Sequence, residues 1–415
     1  MANDKDLQPG LAGDWNGVRT ALKNEGWQFQ VKGIFEGAHI PAGGDRNAAT
    51  GAGELDFVAL ADLGKLIGDE GGSLEAKVTD RFGADIGAAS GLDPLMQPQE
   101  IWGRGDIWRL TQLSLAQDLF GKKLNVEFGR VNPGSDFDVF ACSFQNLNFC
   151  GSVPGNLDGK YWFNSPVGQW GGRIKASATD SLDLQVGLYQ INMTNLRRGF
   201  SFDFSGGSGV LIPFEAEWKP KLFSELPGDY KVGGWHSNMV AADVYYDINR
   251  DPLSVTGLPP LEARGRSGFF LSARQQVTGK APPADAPPNT NGEGLTLFAN
   301  YTQSDKRTSL TDSQFALGAI YKGLVPGRTD DEMAIAFGGT HVNDRVTEGE
   351  ALHNAVGVPP FEPVQHTEYV AELDYRIMIA QGAELSPNLQ LVTNPGGVRT
   401  KSDALVLGLK ASATL

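Results

Sequence analysis

The last twelve residues of the chain, Ala404-Leu-Val-Leu-Gly-Leu-Lys-Ala-Ser-Ala-Thr-Leu415, alternate in character up to the final residue. A repeat of two residues places successive side chains on opposite faces of a β-strand, whereas a helix repeats about every 3.6 residues. One face carries only leucine and alanine, beginning with Leu405 and Leu407, and the other includes Lys410. Lipid outside and water inside a closed sheet require such a contrast. The segment therefore predicts a membrane-spanning strand.

The same alternation recurs throughout the chain. Phe29 and Val31 alternate with glutamine and lysine, and Leu184 and Val186 alternate with aspartate and glutamine. No stretch approaches the roughly 18 consecutive apolar residues that a membrane-spanning helix needs. The pattern therefore predicts an all-β protein, a transmembrane antiparallel β-barrel. We expect these apolar side chains, with Leu405 and Leu407, to face lipid and their sequence neighbours to face the lumen.

Seventeen segments have a strand-like pattern. Bacterial outer-membrane barrels have even numbers of strands, so we expect sixteen and regard the short segment 159–165 as the weakest candidate. The candidate segments are 27–36, 54–64, 73–82, 107–117, 123–131, 159–165, 169–178, 182–192, 209–218, 229–247, 266–278, 294–304, 312–323, 332–343, 366–380, 385–393 and 403–415.

The spacers between these segments alternate in length. Short spacers predict turns at one rim, and long Pro- and Gly-rich spacers predict extracellular loops at the other rim that fold into the lumen. A short helix is predicted from about Asp14 to Gly26, with Asp14 as its cap. We therefore divide the chain into a periplasmic N-terminal segment, residues 1–26, and one barrel domain, residues 27–415. The long spacers are 83–106, 132–158, 249–265, 279–293 and 344–365.

Composition and motifs argue against several classes of function. The 35 basic and 49 acidic residues give a formal net charge of -14, which disfavours nucleic acid as a partner. The histidine spacing matches no metal site, and no nucleophile elbow, phosphate-binding loop or dinucleotide motif is present. We therefore expect no catalytic residue, metal or cofactor, although paired carboxylates for glycoside cleavage stay open. The first residues carry no secretion signal, which we interpret as a mature chain without its leader.

The densest chemical cluster lies in residues 99–113. It combines Glu100 and Arg104 with the indoles of Trp102 and Trp108. A sugar-binding site needs planar donors, a charged acceptor and a flat apolar face, and these residue types supply all three. An interfacial aromatic girdle beside a surface ion pair is the alternative, and the spacing alone favours it over a sugar site. Arg81 ends a strand whose polar face points into the lumen, where it would line a constriction or pair with a facing carboxylate.

Cys142 and Cys150 are the only cysteines, and they lie eight positions apart. In an oxidising compartment they predict a disulfide that closes a small loop. Two separate buried thiols are the alternative.

Several longer motifs together cover nearly the whole chain. They are GDWNGVRT at 13–20, WGRG at 102–105, WRLTQL at 108–113, CSFQNLNFCGS at 142–152, NLQLVTNPGG at 388–397 and ALVLGLK at 404–410. These motifs resemble those of the carbohydrate-selective outer-membrane porins of the OprB type. The resemblance implies a sixteen-stranded barrel in the outer membrane of a Gram-negative bacterium that passes sugars, with monosaccharides preferred.

The resemblance also implies a site. In that family two arginines and a glutamate from two extracellular loops line the narrowest point, and their motifs match Arg81, Glu100 and Arg104 here. Trp102 or Trp108 would then supply an apolar surface nearby.

The chain departs from the family pattern at two positions. It ends in Leu415, where the outer-membrane insertion signal usually ends in an aromatic residue. Ser114 stands where related chains tend to carry an aromatic residue, so one stacking surface is expected to be missing.

The sequence thus predicts a passive channel for monosaccharides, embedded in outer-membrane lipid and inserted by the barrel-assembly machinery as a monomer or a trimer. A general diffusion or anion-preferring porin is the alternative among channels. A secreted β-protein that binds or cleaves carbohydrate is the alternative from another class.

Overall fold

Sixteen antiparallel strands form a closed barrel. The chain is described by a computed structural model that covers residues 7, 10–140, 142–283, 286, 290–357 and 359–415. Strand β1 (Trp27–Ala42) pairs with β2 (Ala48–Asp62) on one side and with β17 (Ala404–Thr414) on the other, which closes the sheet.

The other strands follow in chain order, each antiparallel to its neighbours. They are β3 (Gly72–Gly83), β4 (Trp108–Leu119), β5 (Leu124–Val131), β6 (Gln169–Thr179), β7 (Leu182–Ile191), β8 (Gly209–Trp218), β9 (Lys221–Leu222), β10 (Leu226–Asp247), β11 (Pro260–Gln276), β12 (Gly294–Gln303), β13 (Thr311–Lys322), β14 (Glu332–Val342), β15 (Thr367–Ala380) and β16 (Ala383–Thr393).

The prediction of sixteen barrel strands is confirmed. Each barrel strand overlaps one predicted segment, and the segment that drops out is 159–165, which forms turns in the loop between β5 and β6. Strand β9 is additional to the barrel, because it pairs only with the start of β10 while β8 pairs with β10 further along. Two residues are too few to show alternation, so the sequence did not predict β9. Pro220, which lacks an amide hydrogen, separates β9 from β8.

Side chains alternate between the two faces of the barrel as predicted. On β7, Leu184 and Val186 are 45% and 47% exposed, whereas Asp183 and Gln185 are buried. On β17, Leu407 is exposed and Val406 is buried. The apolar residues therefore cover the outside of the barrel, where lipid replaces water, and the polar residues face inward.

The two rims differ in the lengths of their connections. We call the rim that holds both chain ends the terminal rim and the opposite one the long-loop rim. Connections 84–107, 132–168, 192–208, 248–259 and 343–366 lie at the long-loop rim. The predicted spacer 279–293 belongs to the terminal rim, so its assignment to the other rim was wrong. The order of the strands, and not the length of a connection, decides the rim at which the connection lies. Strand β11 runs towards the terminal rim and β12 runs away from it, so the connection between them lies at the terminal rim.

Among the residues that the structure describes, six α-helices accompany the barrel. The N-terminal helix α1 (Val18–Asn24) is shorter than predicted, because residues 15–17 form a 3₁₀ turn, and Asp14 accepts hydrogen bonds from Thr20. None of the helices in the described part of the chain has the length and apolar content needed to traverse a lipid bilayer. Besides α1, the α-helices are α2 (Leu63–Ile67), α3 (Ile86–Ser90), α4 (Val153–Leu157), α5 (Leu253–Thr256) and α6 (Asp344–Val356).

The buried core lies inside the barrel, between its wall and two loops that fold inward. These are the 84–107 loop and the 132–168 loop. Phe144 of the second loop is fully buried and packs against Phe298 of β12, with ring centroids 5.8 Å apart. Trp162 of the same loop packs against Trp235 of β10 at 5.4 Å. Apolar contacts with the wall therefore hold this loop within the lumen.

Candidate functional site

Arg81 lies on the lumen face of β3. The alternation that exposes Leu74 and Phe82 on the outside turns Arg81 inward, where it is only 8% exposed. Its Nε donates a hydrogen bond to Glu54 Oε2 of the neighbouring strand at 2.5 Å. A guanidinium paired in this way is fixed in position and keeps its other N–H groups as donors.

Arg104 lies near the end of the 84–107 loop, four residues before β4 begins. Gly103, Arg104 and Gly105 all have positive φ, and Arg104 adopts 67°. Arg104 Nη1 donates to the carbonyl oxygen of Gly159 in the 132–168 loop at 2.9 Å. A Cβ atom on Gly159 would lie 2.3 Å from Arg104 Nη2, so a side chain there would displace the guanidinium from its place between the two loops. Burial lowers the pKa of the Arg104 guanidinium, and the nearby charge of Arg81 lowers it further.

Glu100 connects the two infolded loops. Its backbone N–H donates to the carbonyl oxygen of Gln145 at 2.9 Å, and its Oε1 accepts a hydrogen bond from Lys410 Nζ at 2.9 Å. Lys410 Nζ also donates to the carbonyl oxygen of Phe144 at 3.3 Å and lies 3.1 Å from Glu36 Oε1. One ammonium on the last strand therefore holds both loops against the point where the barrel closes.

Two wall carboxylates of β15 bind the backbone of the same loops. Glu368 accepts hydrogen bonds from the amides of residues 95–96 at 2.8 and 3.1 Å. Glu372 accepts from the amides of residues 145–146 at 2.8 and 3.0 Å. Each side chain binds two consecutive backbone amides, so these contacts fix the height of each loop in the lumen.

The two tryptophans that the sequence suggested for the site lie in different places in the structure. Trp102 is half-buried in the 84–107 loop, whereas Trp108 is 47% exposed on the outside of the barrel, its ring 5.8 Å from that of Phe57. A β-bulge at Thr111 causes this, because Lys77 pairs with Gln112 while Val78 pairs with Leu110. The extra residue reverses the faces of the residues before it, so Trp108 does not supply an apolar surface in the lumen.

Cys142 and Cys150 are joined by a disulfide in the 132–168 loop, with Cα atoms 4.4 Å apart. A carboxylate oxygen of Glu100 lies within 4.8 Å of both sulfurs. Sulfurs bonded to each other are not thiolate ligands, so this group is not a metal site. The disulfide instead lies directly against the predicted constriction.

A polar vestibule of about 1350 Å³ lies between the infolded loops and the terminal rim. Charged side chains of both signs from the barrel wall face into it. These charged side chains include Glu75, Lys77, Glu127, Arg173, Lys175, Glu217 and Lys231.

The structure thus places Glu100 and Arg104 within electrostatic range of Arg81 and leaves Trp108 outside. Sequence reasoning missed Lys410 and the wall carboxylates that hold the loops. The position of Lys410 on the polar face of the final strand indicated that its side chain faces the lumen. No local pattern identifies its partner Glu100, which is 310 positions away.

A closed sixteen-stranded barrel, apolar outside and narrowed inside by its own loops, defines a porin of the bacterial outer membrane. Residues 46–415 match the family described as carbohydrate-selective porin, OprB family. The chain belongs to this family.

Individual relatives agree with this assignment. Porin B of Pseudomonas aeruginosa is 39% identical over 96% of this chain and 90% of its own length. Putative porin QuiX of Acinetobacter baylyi is 32% identical over 99% of this chain and 94% of its own length. A solved structure described as the high-pH structure of Pseudomonas putida OprB is 36% identical, with a TM-score of 0.92 over 98% of this chain and 99% of that chain.

The protein is therefore a carbohydrate-selective porin located in the outer membrane of a Gram-negative bacterium. Family and fold both indicate a channel and not an enzyme, which disfavours the alternative of a secreted carbohydrate-binding or glycoside-cleaving protein.

Proposed function

We propose that the channel passes monosaccharides passively through a constriction formed by Arg81, Glu100 and Arg104. The observation that carries this proposal is the convergence of two guanidiniums and a carboxylate inside the barrel. Each side chain is held by a partner: Arg81 by Glu54, Arg104 by the Gly159 carbonyl, and Glu100 by Lys410.

The chemistry of the three side chains suits a neutral polyol. Guanidinium N–H groups donate to hydroxyl oxygens in a planar fork, and a carboxylate accepts from hydroxyl hydrogens. A sugar entering the constriction exchanges its hydration for these fixed partners. Conduction requires weak binding, on the order of millimolar or roughly -4 kcal/mol, because a tightly held sugar would not leave.

Charges of both signs lie at the proposed constriction. Arg81 is paired with Glu54, and Lys410 is paired with Glu36 and Glu100. The guanidinium of Arg109 donates to the carbonyl oxygen of Arg104 and adds positive charge beside them. A measurement of ion selectivity therefore separates this proposal from the anion-preferring alternative.

We propose the following setting for the channel. The long-loop rim faces the cell exterior and the terminal rim, with segment 1–26, faces the periplasm, as in other bacterial barrels with short periplasmic turns. The apolar outer surface contacts outer-membrane lipid, and the barrel-assembly machinery inserts the chain as a monomer or a trimer.

Liposome swelling tests the substrate class. Vesicles containing the protein should swell with glucose several times faster than with a disaccharide of glucose, after correction for their diffusion in water. The same vesicles in a potassium chloride gradient should show little preference for either ion. Equal rates for both sugars, or strong anion preference, would contradict the proposal and support a general or anion-preferring porin.

A further inference from the structure

The loop between β7 and β8, residues 192–208, lies over the outside of the barrel at the long-loop rim. The carbonyl oxygen of Gly199 accepts a hydrogen bond from the amide of Leu110 at 3.0 Å, which attaches the loop to the start of β4. Further along, Phe204 stacks on Trp170 of β6, with ring centroids 4.2 Å apart and planes 16° from parallel.

Both attachment points lie on the lipid face. Trp170 shares its face of β6 with Ile174, which is 48% exposed, and Trp108, beside Gly199, is the outward-facing indole paired with Phe57. Residues 199–204 therefore continue the apolar outer surface of the barrel beyond its rim. The preceding residues 195–196 accept hydrogen bonds from Arg109, whose guanidinium also donates to the Arg104 carbonyl oxygen.

Three phenylalanines of this loop are unusually exposed. Phe200, Phe202 and Phe204 occupy alternate positions and are 56%, 55% and 63% exposed. Aromatic side chains collect where a membrane protein crosses the boundary between acyl chains and headgroups. These three rings lie next to the lipid face of the barrel, where such a boundary is expected.

Two arginines directly precede the phenylalanines. Arg197 and Arg198 are exposed and form no ion pair among the residues that the structure describes. Asp203 lies within electrostatic range of Arg198 and accepts a hydrogen bond from the Ser205 amide. The chain as a whole carries a formal charge of -14, so general electrostatics would repel an anion and a local site is needed to hold one.

We infer that residues 197–204 bind a phosphate-bearing lipid of the leaflet on the long-loop side. The guanidiniums of Arg197 and Arg198 bind the headgroup phosphates through paired N–H donors, and the three phenylalanines pack against the start of the acyl chains. The lipid contacts involve no residue of the proposed constriction and do not depend on what the channel conducts.

Native mass spectrometry of the full-length protein in detergent tests the site, with synthetic bis-phosphorylated lipid A as the probe. The parent protein should retain the lipid, and the double variant R197Q/R198Q should bind it at least about tenfold more weakly, because two charge-assisted contacts are lost. Lipid A without its phosphates should bind the parent as weakly as it binds the variant. Inorganic phosphate at equal concentration should not displace the lipid, since it lacks acyl chains.

The matched control is R250Q/R399Q, which makes the same change of charge in exposed residues at the same rim. It should bind the lipid like the parent. The inference is overturned if R197Q/R198Q binds like the parent, if the control loses as much affinity, or if the dephosphorylated lipid binds equally well. Both double variants should keep the parent's glucose block of ion current, which shows that they are folded and separates this test from that of the proposed function.

Discussion

The ammonium group of Lys410 lies 2.9 Å from a carboxylate oxygen of Glu100, although the two residues are 310 positions apart. Lys410 belongs to the last strand, and Glu100 belongs to the 84–107 loop. Because β17 pairs with β1, Lys410 also lies 3.1 Å from Glu36 on the first strand. The position of Glu100, which we propose to line the constriction, is therefore set where the barrel closes.

Replacing Lys410 with methionine should loosen the constriction. The change removes the partner of Glu100 and the donor to the Phe144 carbonyl, so both loops lose a common attachment. We expect single-channel recordings to show higher and noisier conductance, with several-fold weaker block by glucose. K322M is the control, because Lys322 is also a strand lysine near a carboxylate, Asp330, but lies at the terminal rim.

Leaving a buried carboxylate unpaired costs about 3–5 kcal/mol, so K410M alone risks poor folding. The variant E36Q/K410M removes the buried charge as well, and heat-modifiable migration in detergent gels checks that the barrel forms. A folded K410M or E36Q/K410M channel with the parent's noise and glucose block would refute the role of Lys410.

Replacing Glu100 with glutamine should shift the channel towards anions. The substitution keeps the shape of the side chain but leaves Arg81 and Arg104 without its negative charge. Reversal potentials in a potassium chloride gradient should therefore move in the direction of chloride selectivity. E348Q makes the same charge change on the exposed surface of α6 and should leave the potential unchanged. Equal potentials for E100Q and the parent would show that Glu100 is not in the ion path.

Replacing Gly159 with alanine should displace Arg104 without changing any charge. The added methyl group would lie 2.3 Å from Arg104 Nη2 and 2.9 Å from the Gly155 carbonyl oxygen, so the guanidinium has to move. We expect glucose block to weaken towards the level of R104A. G33A serves as the control, because its methyl group meets no atom closer than 3.4 Å. Glucose block as strong in G159A as in G33A would contradict the contact.

Removing the disulfide with C142S/C150S should affect the loop and spare the barrel. In the chain-entropy model, closing so short a loop contributes roughly 2–3 kcal/mol. The backbone contacts of residues 145–146 with Glu372 remain, so the loop stays inside the lumen with greater freedom. Current noise should rise in the variant and, after addition of dithiothreitol, in the parent. Identical noise in all three cases would show that the disulfide does not stabilise the constriction.

The sequence predicted what depends on period two and missed what depends on distant pairing. Alternation placed Leu184 outside and Arg81 inside, because a strand can bury only one of its faces. It did not decide the place of Trp108, for which the sequence left a lumen surface and an interfacial girdle open, because the β-bulge at Thr111 reverses the faces of the strand. The partner of Lys410 was equally hidden, since a contact across the closing strands has no local signature.

The lengths of the loops were a weaker guide than the order of the strands. The 279–293 spacer is as long and as proline-rich as an extracellular loop, yet it belongs to the terminal rim. Asn291 of this connection reaches the barrel wall, where its Nδ2 donates to Glu332 at 2.8 Å. Length reports only that a connection is not a tight turn, whereas the count of strands before it fixes its rim.

The most direct test of the central claim is a glucose titration of ion current through R81A/R104A channels in planar bilayers. The parent channel should be half-blocked at glucose concentrations on the order of millimolar. R81A/R104A should conduct more ions and need at least about tenfold more glucose, because both guanidinium donors are gone. R376A, which removes a strand arginine paired with Glu332 near the terminal rim, should titrate like the parent. If R81A/R104A keeps the parent's conductance and half-blocking concentration, Arg81 and Arg104 do not form the sugar filter.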